Sequence, residues 1–232
     1  MSESPARPFT DRIKTFMPRT SPLNTSQKQG MSDFAPKMQL TLAQGKLNPE
    51  AVFGRRAPLT IEIGFGMGQT LIEMAQAAPE RDFIGIEIHK PGVAQLCFDA
   101  GTQGVSNLRY YSEDAVSVLE QAIAPGSVDT VQLFLPDPWQ KARHHKRRFV
   151  RPDLIELVRQ TLSVGGRFHM ATDWAPYAEW MLEHMEAAPG FENAHAPGEY
   201  MPRPAWRPLT KFEQRGHEQG HGVWDLIYVR VD

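Results

Sequence analysis

From residue 59 onward, short apolar runs alternate with amphipathic stretches, and that alternation leaves few folds open. Residues 59–64, 82–88, 108–112, 128–135 and 166–172 read as strands. Residues 69–78, 91–100, 115–123, 152–161 and 176–187 read as the helices between them. Strands that alternate with helices form a parallel sheet covered on both faces. Residues 191–194 and 224–230 look like terminal strands, and no internal repeat is present. A chain of 232 residues, 41% hydrophobic, supplies the core of one large α/β domain. That domain is expected over 31–232, with a short helical lead-in at 31–55. Residues 1–30, rich in Ser, Pro, Thr, Gln and basic side chains, read as a flexible basic arm.

Composition removes several function classes. No apolar run reaches the roughly 18 residues a membrane span needs. The N-terminus lacks the apolar core of a secretory signal, so a cytoplasmic protein is expected. Cys97 is the only cysteine, which excludes an intrachain disulfide and a cysteine zinc site. His217-Glu218-Gln219-Gly220-His221 matches the spacing of a zinc-protease helix, but Gly216, Gly220 and Gly222 argue for a loop, and no metal is expected.

In an open α/β sheet, ligands bind at the C-terminal ends of the strands. The first strand ends in Glu62-Ile63-Gly64-Phe65-Gly66-Met67-Gly68-Gln69. Its glycines allow a tight turn and close approach of a ligand. The spacing is G-x-G-x-G, and Gln69 stands where a dinucleotide fingerprint needs its third glycine. The acidic Glu62 disfavours a pyrophosphate and favours a cationic ligand. Glu87 ends the second strand, 23 residues after Gly64, where a carboxylate accepts from the two hydroxyls of an adenosine ribose. Asp114, after the third strand, either accepts from an adenine amino group or caps the next helix. An adenosine that bears positive charge and no pyrophosphate is S-adenosylmethionine. The alternative is an ordinary nucleotide-type core with incidental acids at its strand ends.

The fourth strand runs into Pro136-Asp137-Pro138-Trp139, and a dense cationic stretch follows. Residues 141–151 hold six Lys or Arg and no acid, on a chain whose net charge is only −2. A charge run is commonly a solvated face; beside a carboxylate aimed at a ligand crevice it points instead to a polyanionic substrate. Near the C-terminus, Thr210-Lys211-Phe212-Glu213 reads as a loop where Phe212 stacks on a base and Glu213 accepts from guanine's Watson–Crick edge, or else as a plain polar loop. Asp173 either caps the helix after it or reaches the substrate.

Taken in order, E-I-G-x-G-x-G, P-D-P-W-x-K-x-R-H-x-K-R-R, T-D and T-K-F-E-x-R-G resemble the bacterial tRNA (guanine-N7)-methyltransferases over about residues 58 to 230. The resemblance implies a Rossmann-like class I methyltransferase fold, a seven-stranded sheet with its last strand antiparallel. It implies that Glu62, Glu87, Asp114 and Asp137 contact S-adenosylmethionine beside Gly64, Gly66 and Gly68, with Asp137 catalytic. It further implies tRNA contacts from Lys141, Asp173 and Thr210, Lys211, Phe212 and Glu213, with Arg143, His144, His145, Lys146, Arg147 and Arg148 along the RNA. The implied target is guanine 46 of the tRNA variable loop. Three other readings share the fold. A small-molecule methyltransferase gives the cationic run no purpose. An inactive RNA-binding module gives the four strand-end acids none, and a nicotinamide oxidoreductase is disfavoured by Gln69. Monomer and homodimer stay open.

Overall fold

The structure is a computed structural model that describes residues 13–17, 21–209, 213 and 222–232. The chain enters through helix α1 (Thr25–Gln29), capped by Asn24, then a π-helical turn over Gly30–Phe34, α2 (Ala35–Met38), strand β1 (Gln39–Leu40) and α3 (Pro49–Phe53). The alternating unit follows as β2 (Leu59–Ile63), α4 (Gln69–Ala77), β3 (Asp82–Ile86), α5 (Lys90–Thr102), β4 (Leu108–Tyr111), α6 (Ala115–Gln121) and β5 (Val128–Phe134). A 3-10 helix (Ala142–Arg147) precedes α7 (Pro152–Thr161), β6 (Leu162–Thr172), α8 (Ala175–Glu186), β7 (Phe191–Asn193) and β8 (Trp224–Arg230). No helix among the described residues is long and apolar enough to cross a membrane.

The sheet order is β1-β4-β3-β2-β5-β6-β8-β7, and among the described strands β8 is the one that runs opposite to the rest. Among the described residues the count is eight strands where seven were expected. The added one is β1, two residues that pair with Tyr110 and Tyr111 at the outer edge. It is too short to show a period-two pattern in sequence. Every residue of β2 and β3 is buried, as strands covered on both faces must be. One apolar layer holds Ile61, Ile63, Ile84, Val131 and Leu133 with residues of α6, α7 and α8. The opposite layer holds Leu71, Phe83, Leu96 and Tyr110 with Ala35 and Met38 of α2. Helix α1 lies within the span read as an arm. It docks on α5, where Gln27 donates to the Pro91 carbonyl (3.2 Å), and Phe34 of the following π-helical turn sits over Gly101.

The order of connection matters for function. After β2 the chain steps outward through β3 and β4, then returns to the other side of β2 with β5. The connections leaving β2 and β5 therefore diverge, and a crevice opens between their C-terminal ends.

Candidate active site

That crevice is a cavity of about 350 Å³, walled by Gly64 and Gly66 after β2, Glu87 to His89 after β3, Glu113 and Ala115 after β4, and Leu135 to Asp137 after β5. Ile63, Ile86, Leu133 and Phe149 form its apolar floor, and Thr15, Phe16 and Met17 close one side. The glycine turn is shaped by close approach. Gly68 has φ +82°, and a Cβ there would lie 2.4 Å from Leu96 Cδ1. A Cβ on Gly92 of α5 would lie 2.0 Å from the Gly66 carbonyl oxygen. The turn and α5 are thus pressed together, and only glycines permit it.

Three of the expected acids take distinct positions. Glu87, half-buried in the wall, accepts at Oε1 from Ile88 N (2.7 Å) and His89 N (2.9 Å), and at Oε2 from Gly66 N (3.0 Å). A carboxylate has about four lone-pair sites, so three backbone donors leave one for a ligand. Glu87 therefore shapes the glycine turn as well as facing the cavity. Asp114 takes the capping reading, accepting from Ser117 N (3.1 Å) at the start of α6. Its neighbour Glu113 stands in the cavity wall instead, its Oε2 accepting from Leu42 N (2.9 Å). Glu62 lies outside the wall, fully buried behind the glycine turn, and its Oε2 has no hydrogen-bond partner among the described residues. Burial, and secondarily the Glu87 charge, push its carboxyl up to about 8.

Asp137 is exposed at the cavity rim on a strained turn. Leu135 (φ +50°) and Trp139 (φ +46°) flank it, both in the left-handed region that L side chains avoid. Such residues cost of order 1–3 kcal/mol each and persist only where surroundings hold them. Here Leu135 N donates to the Ala171 carbonyl (2.8 Å), and Arg148 Nε donates to the Pro138 carbonyl (3.0 Å). Trp139 lies under the Arg147 guanidinium, 4.0 Å from its ring centre.

The cationic stretch divides into two parts. Lys141, Arg143 and Lys146 are exposed, and His144 and His145 half-buried, along the 3-10 helix. Arg148 corrects an expectation: it is 2% exposed and cannot lie along an RNA. Its guanidinium sits 4.8 Å from both the Tyr177 and Trp180 rings of α8. Arg148→Ala is expected to cost about 2–4 kcal/mol of stability, through lost packing and an unpaired Pro138 carbonyl, read as a lowered midpoint in thermal unfolding. Arg147 is occupied too. It donates to the carbonyls of Lys14 (3.1 Å) and Phe16 (2.8 Å), while Trp139 Nε1 donates to Thr15 O (3.3 Å). The basic stretch thereby holds residues 13–17 across the cavity mouth, within the arm expected from composition.

Asp173 is exposed at the end of β6, and the cap reading does not apply: the residue before α8 is Trp174, whose N–H donates to Thr172 Oγ1 (3.3 Å). Thr210, Lys211 and Phe212 lie outside the described residues, as do His217, Glu218 and His221. Among the described residues no group of three or more His, Cys, Asp or Glu is placed to hold a metal. Glu213 is a second correction. Its carboxylate is buried and grips Arg207 at both oxygens, 2.7 and 2.6 Å, so it is not an open acceptor for a base. Sequence reasoning missed Glu113, Arg207 and the Thr15–Met17 segment; none carries a motif, and each is placed by tertiary packing.

A family model described as a putative methyltransferase matches residues 56–226. The chain is 53% identical to a tRNA (guanine-N(7)-)-methyltransferase of Pseudomonas entomophila over the full length of both chains. It is 54% identical to one from Aeromonas hydrophila, covering 97% of this chain and 94% of that one. Among solved structures, the 16S rRNA methyltransferase KamB superposes with a TM-score of 0.58 at 16% identity, over 79% of this chain and 92% of that one. A 16S rRNA (adenine(1408)-N(1))-methyltransferase from Catenulisporales acidiphilia, solved with its cosubstrate SAM, gives 0.55 at 17%, over 81% and 93%. At these identities the likeness is one of fold. Half-identity along the whole length is a stronger bond, and by it the chain belongs to the tRNA (guanine-N(7)-)-methyltransferase family.

Proposed function

We propose that the protein transfers the methyl group of S-adenosylmethionine to N7 of guanine 46 in the tRNA variable loop, in the cytoplasm. The observation that carries the reading is the crevice between β2 and β5, with Glu87 on one side and Asp137 on the other. Its residues suit the cofactor. Glu87 keeps one acceptor site toward a ribose hydroxyl, and the apolar floor of Ile86 and Leu133 suits a purine. The unpartnered oxygen of Glu62 behind the turn favours a cation in the crevice. Bound there, S-adenosylmethionine supplies an electrophilic methyl on a sulfonium.

N7 of guanine has a free lone pair and no proton to lose, so the transfer needs no strong general base. The protein's task is positioning, exclusion of water and charge matching. Positive charge leaves sulfur and appears on the purine ring, and Asp137 is placed to meet it. Lys141, Arg143 and Lys146 face solvent beside Asp137, where phosphates can reach them. Their contacts would offset the few kcal/mol needed to free the base from its stack.

The test is incubation with methyl-labelled S-adenosylmethionine and tRNA, followed by cleavage at 7-methylguanine. Label at guanine 46 is expected; label elsewhere, or none, overturns the reading. Two further results follow. Glu87→Ala should weaken S-adenosylmethionine at least about 10-fold by calorimetry, since a charged acceptor is worth about 1.5–3 kcal/mol, and leave tRNA affinity alone. Unchanged cofactor affinity would contradict the assignment. Lys141→Ala with Arg143→Ala should lower the slope of log affinity against log salt by about 0.7–0.9 per lost phosphate contact. An unaltered slope would make these side chains a solvated face.

A further inference from the structure

The sheet edge that carries Asp137 also carries an indole without a partner. Strands β5 and β6 run parallel with Phe134 opposite Ala171. Asp137 stands three residues past Phe134, and Trp174 three residues past Ala171. The two therefore follow neighbouring strand ends on the same edge, which the bond from Leu135 N to the Ala171 carbonyl (2.8 Å) ties together. The backbone of Trp174 is fixed. Its N–H donates to Thr172 Oγ1 (3.3 Å), and its carbonyl accepts from Tyr177 N (2.9 Å) and Ala178 N (3.0 Å).

The side chain takes no part in this. Trp174 holds the N-cap of α8 without a side-chain cap bond. Ser, Thr, Asn and Asp are favoured at that position because their oxygens accept from the first turn, whereas an indole has only a donor. Trp174 is 36% exposed, and its ring has no hydrogen-bond, aromatic or cationic partner among the described residues. Trp139 and Trp180 differ. The first lies under Arg147 and donates to Thr15; the second stacks on His184, ring centres 4.0 Å apart, and donates to the Val150 carbonyl (2.6 Å). Trp206 is exposed too, but its neighbours Met201 and Arg207 are fastened to Asp225 of β8, one strand further from Asp137. A residue that breaks a local rule and leaves its ring in water marks function more than stability.

We propose that Trp174 is the stacking platform for the guanine that accepts the methyl group, its indole lying against the purine face while N7 points toward the crevice. The proposal rests on the tRNA reading above. A base drawn out of its stack loses its neighbours, and an aromatic face replaces them. Asp137 meets the charge on the purine but offers no flat surface to hold it. The indole adds a second contribution. As N7 bonds to the methyl carbon and the carbon–sulfur bond breaks, positive charge passes to the purine. Trp offers the strongest cation–π face of the aromatic side chains, so the contact tightens as the reaction proceeds.

The test uses the full chain with three substitutions. Trp174→Phe keeps a ring, Trp174→Leu keeps apolar bulk without one, and Trp174→Ala removes both. With tRNA, kcat/KM should fall at least about 10-fold in the Leu and Ala variants and stay within about 5-fold of the parent in the Phe variant. Affinity for S-adenosylmethionine, by calorimetry, should match the parent in all three. A second readout needs no turnover: tRNA carrying the fluorescent base 2-aminopurine at position 46, saturated with each protein. Stacking on an indole quenches this base, so the parent complex should be dimmer than the Leu and Ala complexes. If the Ala variant fails to fold, the Leu and Phe variants decide. Parental kcat/KM in Trp174→Leu overturns the proposal, since bulk and not a ring would then suffice. Equal brightness of the parent and Leu complexes overturns it too, as does a loss of cofactor affinity that accounts for the whole fall in rate. A parent that fails to methylate tRNA at guanine 46 sinks the substrate reading and the platform with it. Methylation by the parent with no loss in Trp174→Leu sinks the platform alone.

Discussion

Asp137→Ala is expected to lower kcat by at least about 100-fold while fold, tRNA affinity and cofactor affinity change little. The side chain is exposed, so its removal opens no cavity and strands no buried partner. Its value lies in where its charge is held. The two residues flanking Pro136-Asp137-Pro138 are both at positive φ without being glycine, a conformation the surroundings must enforce. Ala171, Arg148 and Arg147 supply that enforcement from three directions. A carboxylate fixed before the substrate arrives needs no reorganisation as positive charge grows on the purine. Losing one preorganised electrostatic group typically costs about 2.7–4 kcal/mol in the barrier, which is 100- to 1,000-fold. Steady-state kinetics with saturating tRNA, beside calorimetry for each ligand, decides the point. A variant with turnover within about 3-fold of the parent removes Asp137 from the chemistry. Asp137→Asn gives a finer reading: it keeps the shape and loses the charge, so it should resemble the alanine variant if charge is what matters.

The fold was legible because its signals are local and repeated. The strands β2, β3 and β5 are rich in apolar residues, with β2 and β3 buried throughout since both faces are covered, and the glycine turn and the Pro-Asp-Pro step mark the strand ends that bound the cavity. Strand β1 escaped because two residues carry no period. Within the site, Glu87 and Asp137 could be placed from sequence, since end-of-strand position decides where they point. The environment of a side chain could not. Arg147 and Arg148 are adjacent in one basic stretch. One holds Phe16 and the other is buried between Pro138, Tyr177 and Trp180, and nothing in their spacing separates them. Glu213 looked like an acceptor for a base because its motif is polar; Arg207, six residues earlier, has taken its carboxylate. Charge patterns in sequence show where ions are, and tertiary structure decides which are already paired.

Glu62 carries the other large expected effect, on stability rather than turnover. Its carboxyl is fully buried, has an oxygen without a partner among the described residues, and is pushed from the ordinary 4.5 to about 8. The sign follows from proton counting. Below about pH 4.5 the group is protonated in both folded and unfolded chains and contributes nothing to the pH dependence. Between 4.5 and about 8 the unfolded chain has released the proton and the folded chain retains it, so stability falls as pH rises. Above about 8 both are ionised and the penalty is complete. At pH 7 the interval of 2.5 units above the ordinary value corresponds to about 3 kcal/mol. Glu62→Gln keeps the shape and removes the titration. Ligand-free Glu62→Gln should therefore unfold at a higher temperature than the parent at neutral pH, by roughly 6–12 °C for a chain of this size. The gap should narrow toward pH 5 and widen toward pH 8, by about 1.4 kcal/mol per unit. A cation in the crevice favours the ionised form, so S-adenosylmethionine should raise the parent's midpoint more than the variant's, and the difference should grow with pH. Thermal melts of both proteins from pH 5 to 8, with and without S-adenosylmethionine, measure all of this. A gap that does not change with pH means Glu62 does not titrate across this range, and its unpartnered oxygen then has another occupant.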